Sequence, residues 1–94
     1  MDPEPSTTQA MISSFLDADG RLIAIPRRHD KRMAALDHVA RVFEPGQRYP
    51  EAEVNAMLRA FHDDVAALRR YLVDYGFMAR EHSVYWRAGG TVDV

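Results

Sequence analysis

The feature that most constrains the fold is an amphipathic helix followed at once by a predicted β-hairpin. The hydrophobic positions of this helix repeat at intervals of three and four residues: Val65, Leu68, Leu72 and Tyr75. Asp63 is a predicted N-cap, and Gly76 can adopt the left-handed conformation that ends a helix. Residues 77–79 and 84–86 are short β-prone segments around a polar loop, 80–83. A helix of this kind must lead directly into two antiparallel strands.

Two more amphipathic segments lie upstream of this helix. Their apolar positions are Met33, Leu36, Ala40 and Phe43 in the first, and Val54, Leu58 and Phe61 in the second. Pro45-Gly46 separates the two segments, and Pro50 is tolerated in the first turn of the second helix. Near the start of the chain, residues 10–15 predict a short helix. Residues 22–25 predict an edge strand, which Pro26 closes.

Three helices, a tight connection and a hairpin follow the order of a winged helix-turn-helix. The connection between the second and third helices spans only residues 61–63. We therefore predict an α+β, mainly helical fold: a winged helix-turn-helix-like three-helix core with a short N-terminal strand and a C-terminal β-hairpin. The third helix would be the recognition element, and the loop 80–83 the tip of the wing. Residues 1–94 form a single predicted domain, in which 1–8 and 89–94 are expected to be flexible.

Composition narrows the class of protein. With 47% hydrophobic and 28% charged residues, the chain has the composition of an ordinary globular domain. The absence of cysteine excludes disulfides, thiolate zinc sites and a cysteine nucleophile. No basic leader precedes an apolar run, and no apolar stretch approaches the roughly 20 residues of a membrane span. The sequence therefore predicts a cytoplasmic protein without a membrane segment.

The basic residues are concentrated, although the formal net charge is −2. The densest basic cluster consists of Arg27, Arg28, Lys31 and Arg32. Guanidinium groups suit phosphate oxygens, so this cluster is a candidate contact with a nucleic-acid backbone. The alternative is a solvated helix entrance that Asp30 and nearby acids partly neutralise. A small anionic metabolite is a further candidate ligand of the same cluster.

Three more arginines are candidate contacts on the third helix and the wing. Arg69 and Arg70 lie beside the buried stripe, so at least one of them should face solvent, where a recognition helix reads a groove. Arg80 lies at the predicted wing tip. The alternative for these side chains is ion pairing within the domain. Acids on or beside the same helix would also repel phosphates: Asp63, Asp64 and Asp74.

The sequence predicts neither a catalytic nor a metal site. The four histidines have no metal-binding spacing: His29, His38, His62 and His82. His62 with Asp63 and Asp64 imitates an acid-base trio, but consecutive turn residues diverge, so a hydrogen-bonded turn histidine is favoured. Glycine-rich phosphate loops and nucleophile elbows are absent from the sequence. We therefore expect no enzymatic activity and no cofactor.

Tyr85 and Trp86 have two candidate roles. Their rings could stack on a nucleic-acid base or on a partner side chain. Because side chains alternate along a strand, the other role places one ring in the core, where a large aromatic group seals a small domain. We favour the core for at least one of them.

The chain also resembles a known family in several short motifs. These are Ile25-Pro26 followed by the basic cluster, Phe43-Glu44-Pro45-Gly46 with Tyr49, Glu53-Val54-Asn55, His62-Asp63-Asp64 with Leu68-Arg69-Arg70, and Tyr85-Trp86-Arg87. Over residues 19–87 they are similar to the bacterial domain of unknown function 2087, which occurs alone and attached to regulator-type DNA-binding domains. The resemblance implies a bacterial cytosolic setting and a link to regulation. It supplies no catalytic residues.

From these features we predict a winged-helix nucleic-acid-binding module of a bacterial transcriptional regulator, with DNA a better candidate partner than RNA. The alternative is a protein-interaction or dimerisation module on the same scaffold, which the acidic third helix and the aromatic residues favour. Salt dependence separates the two, because phosphate binding weakens steeply with salt and an apolar interface does not. A homodimer is compatible with either function.

Overall fold

The computed structural model describes residues 12–91, which form three α-helices and three β-strands. In chain order these elements are α1 His29–Ala40, β1 Arg48–Pro50, α2 Glu51–Leu58, α3 Val65–Asp74, β2 Met78–Glu81 and β3 Val84–Arg87. The strands form one antiparallel sheet in the order β1-β3-β2. The predicted α+β fold is therefore confirmed. The helices and the final hairpin follow the order of a winged helix, with the first strand paired to the last.

The core lies between the three helices and one face of the sheet. Its largest fully buried side chains come from every helix, from β3 and from the loops: Ile12, Leu36, Val39, Phe43, Val54, Leu58, Leu68, Leu72 and Tyr85. In α2 and α3 the buried residues are four positions apart, so one stripe of each of these helices faces the core. The second half of α1 is buried on most sides, since all residues from Ala34 to Ala40 except the half-buried His38 are buried. Each fully buried aliphatic side chain stabilises the fold by about 1.5–3 kcal/mol relative to exposure. Tyr85 is buried and Trp86 is half-buried, so the prediction that at least one of these two rings lies in the core is confirmed.

α3 begins one residue later than predicted. Asp64, and not Asp63, is the N-cap: its Oδ1 accepts a hydrogen bond from the Ala67 amide at 3.1 Å. Asp63 instead forms an ion pair with Arg21, whose Nη2 lies 2.9 Å from the Asp63 Oδ1. Asp64, which directly precedes Val65, therefore supplies the capping carboxylate.

The end of α3 follows the sequence prediction. Gly76 has a φ of +80°, the left-handed conformation that glycine adopts without strain. Its amide donates to the Val73 carbonyl at 3.1 Å, and the Phe77 amide donates to the Leu72 carbonyl at 2.9 Å. These two bonds form a Schellman motif, which satisfies the last carbonyls of the helix and directs the chain into β2.

The hairpin turn is shorter than the predicted loop 80–83. Arg80 and Glu81 continue β2, so only His82 and Ser83 connect the strands. His82 has a φ of +57°, and tight hairpin turns commonly require such a positive φ. Arg80 Nε donates to the His82 carbonyl at 2.9 Å. The prediction that placed Arg80 at the wing tip is therefore wrong, because Arg80 belongs to the strand.

The predicted N-terminal edge strand, 22–25, is also wrong. Leu22 forms only an isolated bridge with Leu16. The Leu22 amide donates to the Phe61 carbonyl and the Ile23 amide to the Phe15 carbonyl, both at 2.7 Å. The backbone amides of this segment are therefore hydrogen-bonded to carbonyls outside the sheet. Of the predicted helix 10–15, residues 10 and 11 lie outside the described residues, and Ser13–Phe15 form a short 3-10 helix. The sheet gains its third strand at β1 instead.

A set of hydrogen bonds that we call the C-terminal clasp joins the end of α1 to residues 89–91. The Arg87 guanidinium donates to four backbone carbonyls: Ala40 and Phe43 at 2.9 Å, Gly89 at 3.0 Å and Thr91 at 2.8 Å. The buried Asp37 accepts from the Thr91 amide through Oδ1 at 2.6 Å. Residues 89–91, expected to be flexible, are thus hydrogen-bonded to the core, while 1–8 and 92–94 lie outside the described residues.

Candidate nucleic-acid interface

A groove of about 540 Å³ lies between α3 and the hairpin. The three arginines predicted on the third helix and the wing all line it: Arg69, Arg70 and Arg80. Arg80 reaches this side because it pairs with the buried Tyr85 across the hairpin, and directly paired residues project from the same face of a sheet. The fold therefore brings together arginines that are about ten positions apart in the sequence.

Arg69 is committed to contacts within the domain. Its Nη1 donates to the Asn55 Oδ1 at 2.5 Å, and its Nε lies 3.6 Å from the Glu51 Oε1. The Tyr85 hydroxyl donates to the same Glu51 oxygen at 2.8 Å. Burial, and then this hydrogen bond, raises the pKa of Tyr85 above its ordinary value, so the hydroxyl stays a donor at neutral pH. This half-buried network joins α2, α3 and β3, which is the ion-pairing alternative for Arg69.

Arg70 and Arg80 are the exposed cations of the groove. The Arg70 guanidinium has no hydrogen-bond or ion-pair partner among residues 12–91. The Arg80 guanidinium lies 5.8 Å from the centre of the Tyr85 ring, and only its Nε donates within the described residues. Their terminal nitrogens can therefore donate to an incoming oxyanion.

Two carboxylates limit the positive charge of the groove. Asp64 and Asp74 both line it, near the two ends of α3, and both are exposed. The Asp64 carboxylate is already engaged in capping the helix. Because Glu51 balances Arg69, the exposed charges that remain are two arginines and two aspartates. The groove is thus a surface of mixed charge, with two exposed arginines and two exposed aspartates.

The predicted basic cluster is divided by the structure. Arg32 is half-buried and holds the loop before α1, since its Nε donates to the Pro26 carbonyl at 3.0 Å and its Nη2 to the Arg27 carbonyl at 3.3 Å. Its guanidinium also lies 4.9 Å from the centre of the Tyr71 ring and its Nη1 donates to the Tyr75 hydroxyl at 3.4 Å. Arg32 therefore connects α1 to α3.

The other members of the cluster are more accessible. Arg28 forms an exposed ion pair with Asp30 at 3.4 Å, as the solvated alternative expected. The Lys31 Nζ lies 5.5 Å from the centre of the Phe15 ring. Arg27 is exposed and has no ion-pair partner in the part of the chain that the structure describes.

Tyr71 places the basic cluster beside the groove. Its ring contacts Arg32 on one side, and the same residue lines the groove on α3. The sequence does not reveal this contact, because Arg32 and Tyr71 are 39 positions apart and meet only where α1 packs on α3. The two predicted sets of cations therefore lie on adjoining surfaces around α3.

A family model for uncharacterised proteins conserved in bacteria, domain of unknown function 2087, matches residues 21–87. The chain belongs to this family. The matched residues include all three helices and all three strands described here, so the groove and the basic cluster both lie within the 2087 domain. No curated protein and no solved structure matches the chain.

The remaining histidine and carboxylate candidates of the 2087 domain have structural contacts. His62 Nδ1 accepts a hydrogen bond from the Asp64 amide at 3.0 Å, which confirms the predicted turn histidine. Its neighbour Asp63 points to Arg21. Within residues 12–91, no three His, Asp or Glu side chains lie close enough together to hold a metal ion. In the same range, none of the helices has the length and apolar character needed to cross a membrane.

Proposed function

We propose that this domain binds double-stranded DNA through α3, the groove and the adjoining start of α1. The observation that carries the proposal is that Arg70 and Arg80, two exposed arginines on different elements, line one groove beside the third helix of a winged-helix arrangement. Arginines in such positions hold a DNA-binding domain in register on the phosphate backbone. The family gives no established activity, so the proposal depends on this surface alone.

Each predicted contact residue has a role in the proposal. Arg70 and Arg80 bind phosphates on either side of the groove, while Arg27, Arg28 and Lys31 contact the backbone farther along the duplex. Arg69 and Arg32 act as positioning residues, because their guanidinium groups fix α3 against α2 and against α1.

The helix α3 favours duplex DNA over duplex RNA as the partner. A helix such as α3 fits the wide major groove of B-form DNA, whereas the major groove of an RNA duplex is too narrow and deep for side chains to read. The side chains of the first turn of α3 that are not fully buried are Val65, Ala66 and Ala67, and none of them supplies hydrogen bonds to bases. We therefore expect affinity that depends on phosphates, with little sequence preference.

The test is a fluorescence-anisotropy titration of duplex DNA, of duplex RNA and of single-stranded RNA, at two salt concentrations. We expect binding to duplex DNA that weakens with salt, and each of Arg70→Ala and Arg80→Ala to weaken it about three- to tenfold with a shallower salt slope. Arg59→Ala is the matched control, since Arg59 is exposed and does not line the groove. Equal losses in all three variants would reduce the effect to net charge and contradict the proposed site.

A second candidate function, a protein-interaction module, is favoured by the acids of the groove. Asp64 and Asp74 balance Arg70 and Arg80, and mixed charge suits a polypeptide carrying both signs better than a polyphosphate. In the same titration, a folded protein that fails to bind any nucleic acid at low salt would favour this function over DNA binding.

A further inference from the structure

The sheet has a second face, turned away from the core, which we call the outer face. Strand register gives it two rows of side chains: Arg48, Trp86 and Ala79 in one, and Pro50, Val84 and Glu81 in the other. Paired residues of antiparallel strands project from the same face, and the next residue along each strand projects from the opposite one. The core-facing Tyr49 and Tyr85 are buried, whereas all six outer-face residues are exposed or half-buried.

The outer face has an apolar centre and one charge of each sign. Trp86 and Val84 occupy the central strand, and Ala79 and Pro50 extend the apolar surface to both edges. The Arg48 guanidinium lies 4.9 Å from the centre of the Trp86 ring. Glu81 occupies the diagonally opposite corner, on the other edge strand and in the other row. Neither charge has an ion-pair partner among residues 12–91.

We propose that the outer face binds a second copy of this chain across a two-fold axis. In a two-fold contact, whatever one protomer presents to its partner, the partner presents in return. An axis in the plane of contact, perpendicular to the diagonal between the charges, places Arg48 of each protomer against Glu81 of the partner subunit. The positive and negative corners make the surface complementary to itself, and the apolar centres meet between two reciprocal ion pairs.

This dimer is independent of the DNA-binding proposal. The outer face and the groove lie on opposite sides of the hairpin, because Arg80 projects toward α3 and its neighbours Ala79 and Glu81 project away. Two protomers joined through their outer faces would keep both grooves accessible. Six side chains form a small interface, so we expect a reversible dimer that is populated only at high concentration.

The test uses charge reversal at the two corners, with sedimentation velocity over protein concentrations up to about 1 mM. Arg48→Glu alone and Glu81→Arg alone each place like charges at both reciprocal contacts, so each should raise the dimer Kd at least about tenfold. An equimolar mixture of the two variants restores both ion pairs between unlike protomers. The mixture should therefore associate about as tightly as the original chain.

Two controls separate this contact from a general effect of charge. Arg59→Glu and Glu53→Arg make the same charge changes at exposed positions outside the outer face, and their dimer Kd should stay unchanged. Circular dichroism checks that each variant is folded. If a reversal prevents folding, Arg48→Gln and Glu81→Gln replace it, and a smaller rise in Kd is expected.

Trp86 provides an independent measurement, because it is the single tryptophan of the chain. Its fluorescence emission should shift to shorter wavelength as the concentration of the original protein rises, and should not shift in either charge variant alone. A chain that stays monomeric throughout this range would overturn the proposal. So would a mixture of the two variants that associates no better than each variant by itself.

Discussion

The C-terminal clasp and the groove beside α3 use arginine in opposite ways. In the clasp, the half-buried Arg87 donates to four backbone carbonyls and holds the end of α1 against residues 89–91. In the groove, the guanidinium of the exposed Arg70 donates to no residue in the described range 12–91. The same side chain is a structural element in one place and available to a partner in the other. The number of arginines in a sequence therefore does not measure the charge that a partner can reach.

The largest expected effect tests the clasp against the groove directly. Arg87→Ala leaves the carbonyls of Ala40 and Phe43 without their charged donor, and we expect a loss of about 2–4 kcal/mol in the free energy of unfolding. Arg70→Ala removes an exposed side chain with no described contact, and should change that free energy by less than about 0.5 kcal/mol. Urea denaturation followed by circular dichroism measures both. Similar losses in the two variants would remove the distinction between these regions.

A glycine in the clasp gives the next largest effect. Gly90 has a φ of +91°, and a Cβ there would lie 2.9 Å from both the Asp37 Oδ1 and the Phe77 Cδ1. Gly90→Ala should therefore destabilise the fold by about 2–3 kcal/mol, through backbone strain and steric overlap together. Gly46→Ala is the control, because Gly46 has a φ of +86° with no atom within 4 Å of the Cβ. Gly46→Ala should lower the free energy of unfolding by about 1 kcal/mol, through backbone strain alone. An equal loss of stability in both variants would mean that the clasp is not tightly packed around Gly90.

Substitution of Arg32 tests whether the basic cluster also contains both a structural arginine and accessible ones. Its neighbours in the sequence are candidate phosphate contacts, but its own donors hold the Pro26 and Arg27 carbonyls. Arg32→Ala should lower the free energy of unfolding by about 1–2 kcal/mol. Arg28→Ala removes a side chain that is 72% exposed and should have an effect below about 0.5 kcal/mol. A stable Arg32→Ala that loses DNA affinity would place Arg32 with the groove arginines instead.

Local signals were sufficient to predict much of this fold. α3 was predicted because its buried stripe and its C-terminal glycine lie within one short stretch, and the Schellman bonds at Gly76 depend on nothing distant. Alternation along a strand predicted that at least one of Tyr85 and Trp86 lies in the core, and the structure shows that it is Tyr85. These features are determined by residues close together in the chain.

Features that depend on distant residues were missed. β1 exists because Tyr49 pairs opposite Tyr85, a partner far along the chain, and its three residues carry little strand signal of their own. The predicted strand 22–25 does not form, because its amides donate to the carbonyls of Phe15 and Phe61 and not to a neighbouring strand. In the same way, nothing local distinguishes Arg27 from Arg32. Carbonyls of the loop before α1 and the packing of α1 on α3 together commit Arg32, while Arg27 stays exposed.

The smallest expected effect is a pH dependence that belongs to the clasp helix α1 and not to the groove. His38 is half-buried, with its ring centre 5.8 Å from that of Phe61. Burial, and then the nearby Arg41, lowers the pKa of His38, while Asp37 opposes this. The unfolded chain therefore binds this proton more readily, so stability is retained above about pH 6.5 and is lost as the pH falls toward the lowered pKa. In urea denaturation at about pH 7.5 and about pH 5, His38→Gln should lose less stability than the original chain. An unchanged difference in His38→Gln would assign the pH dependence to other groups.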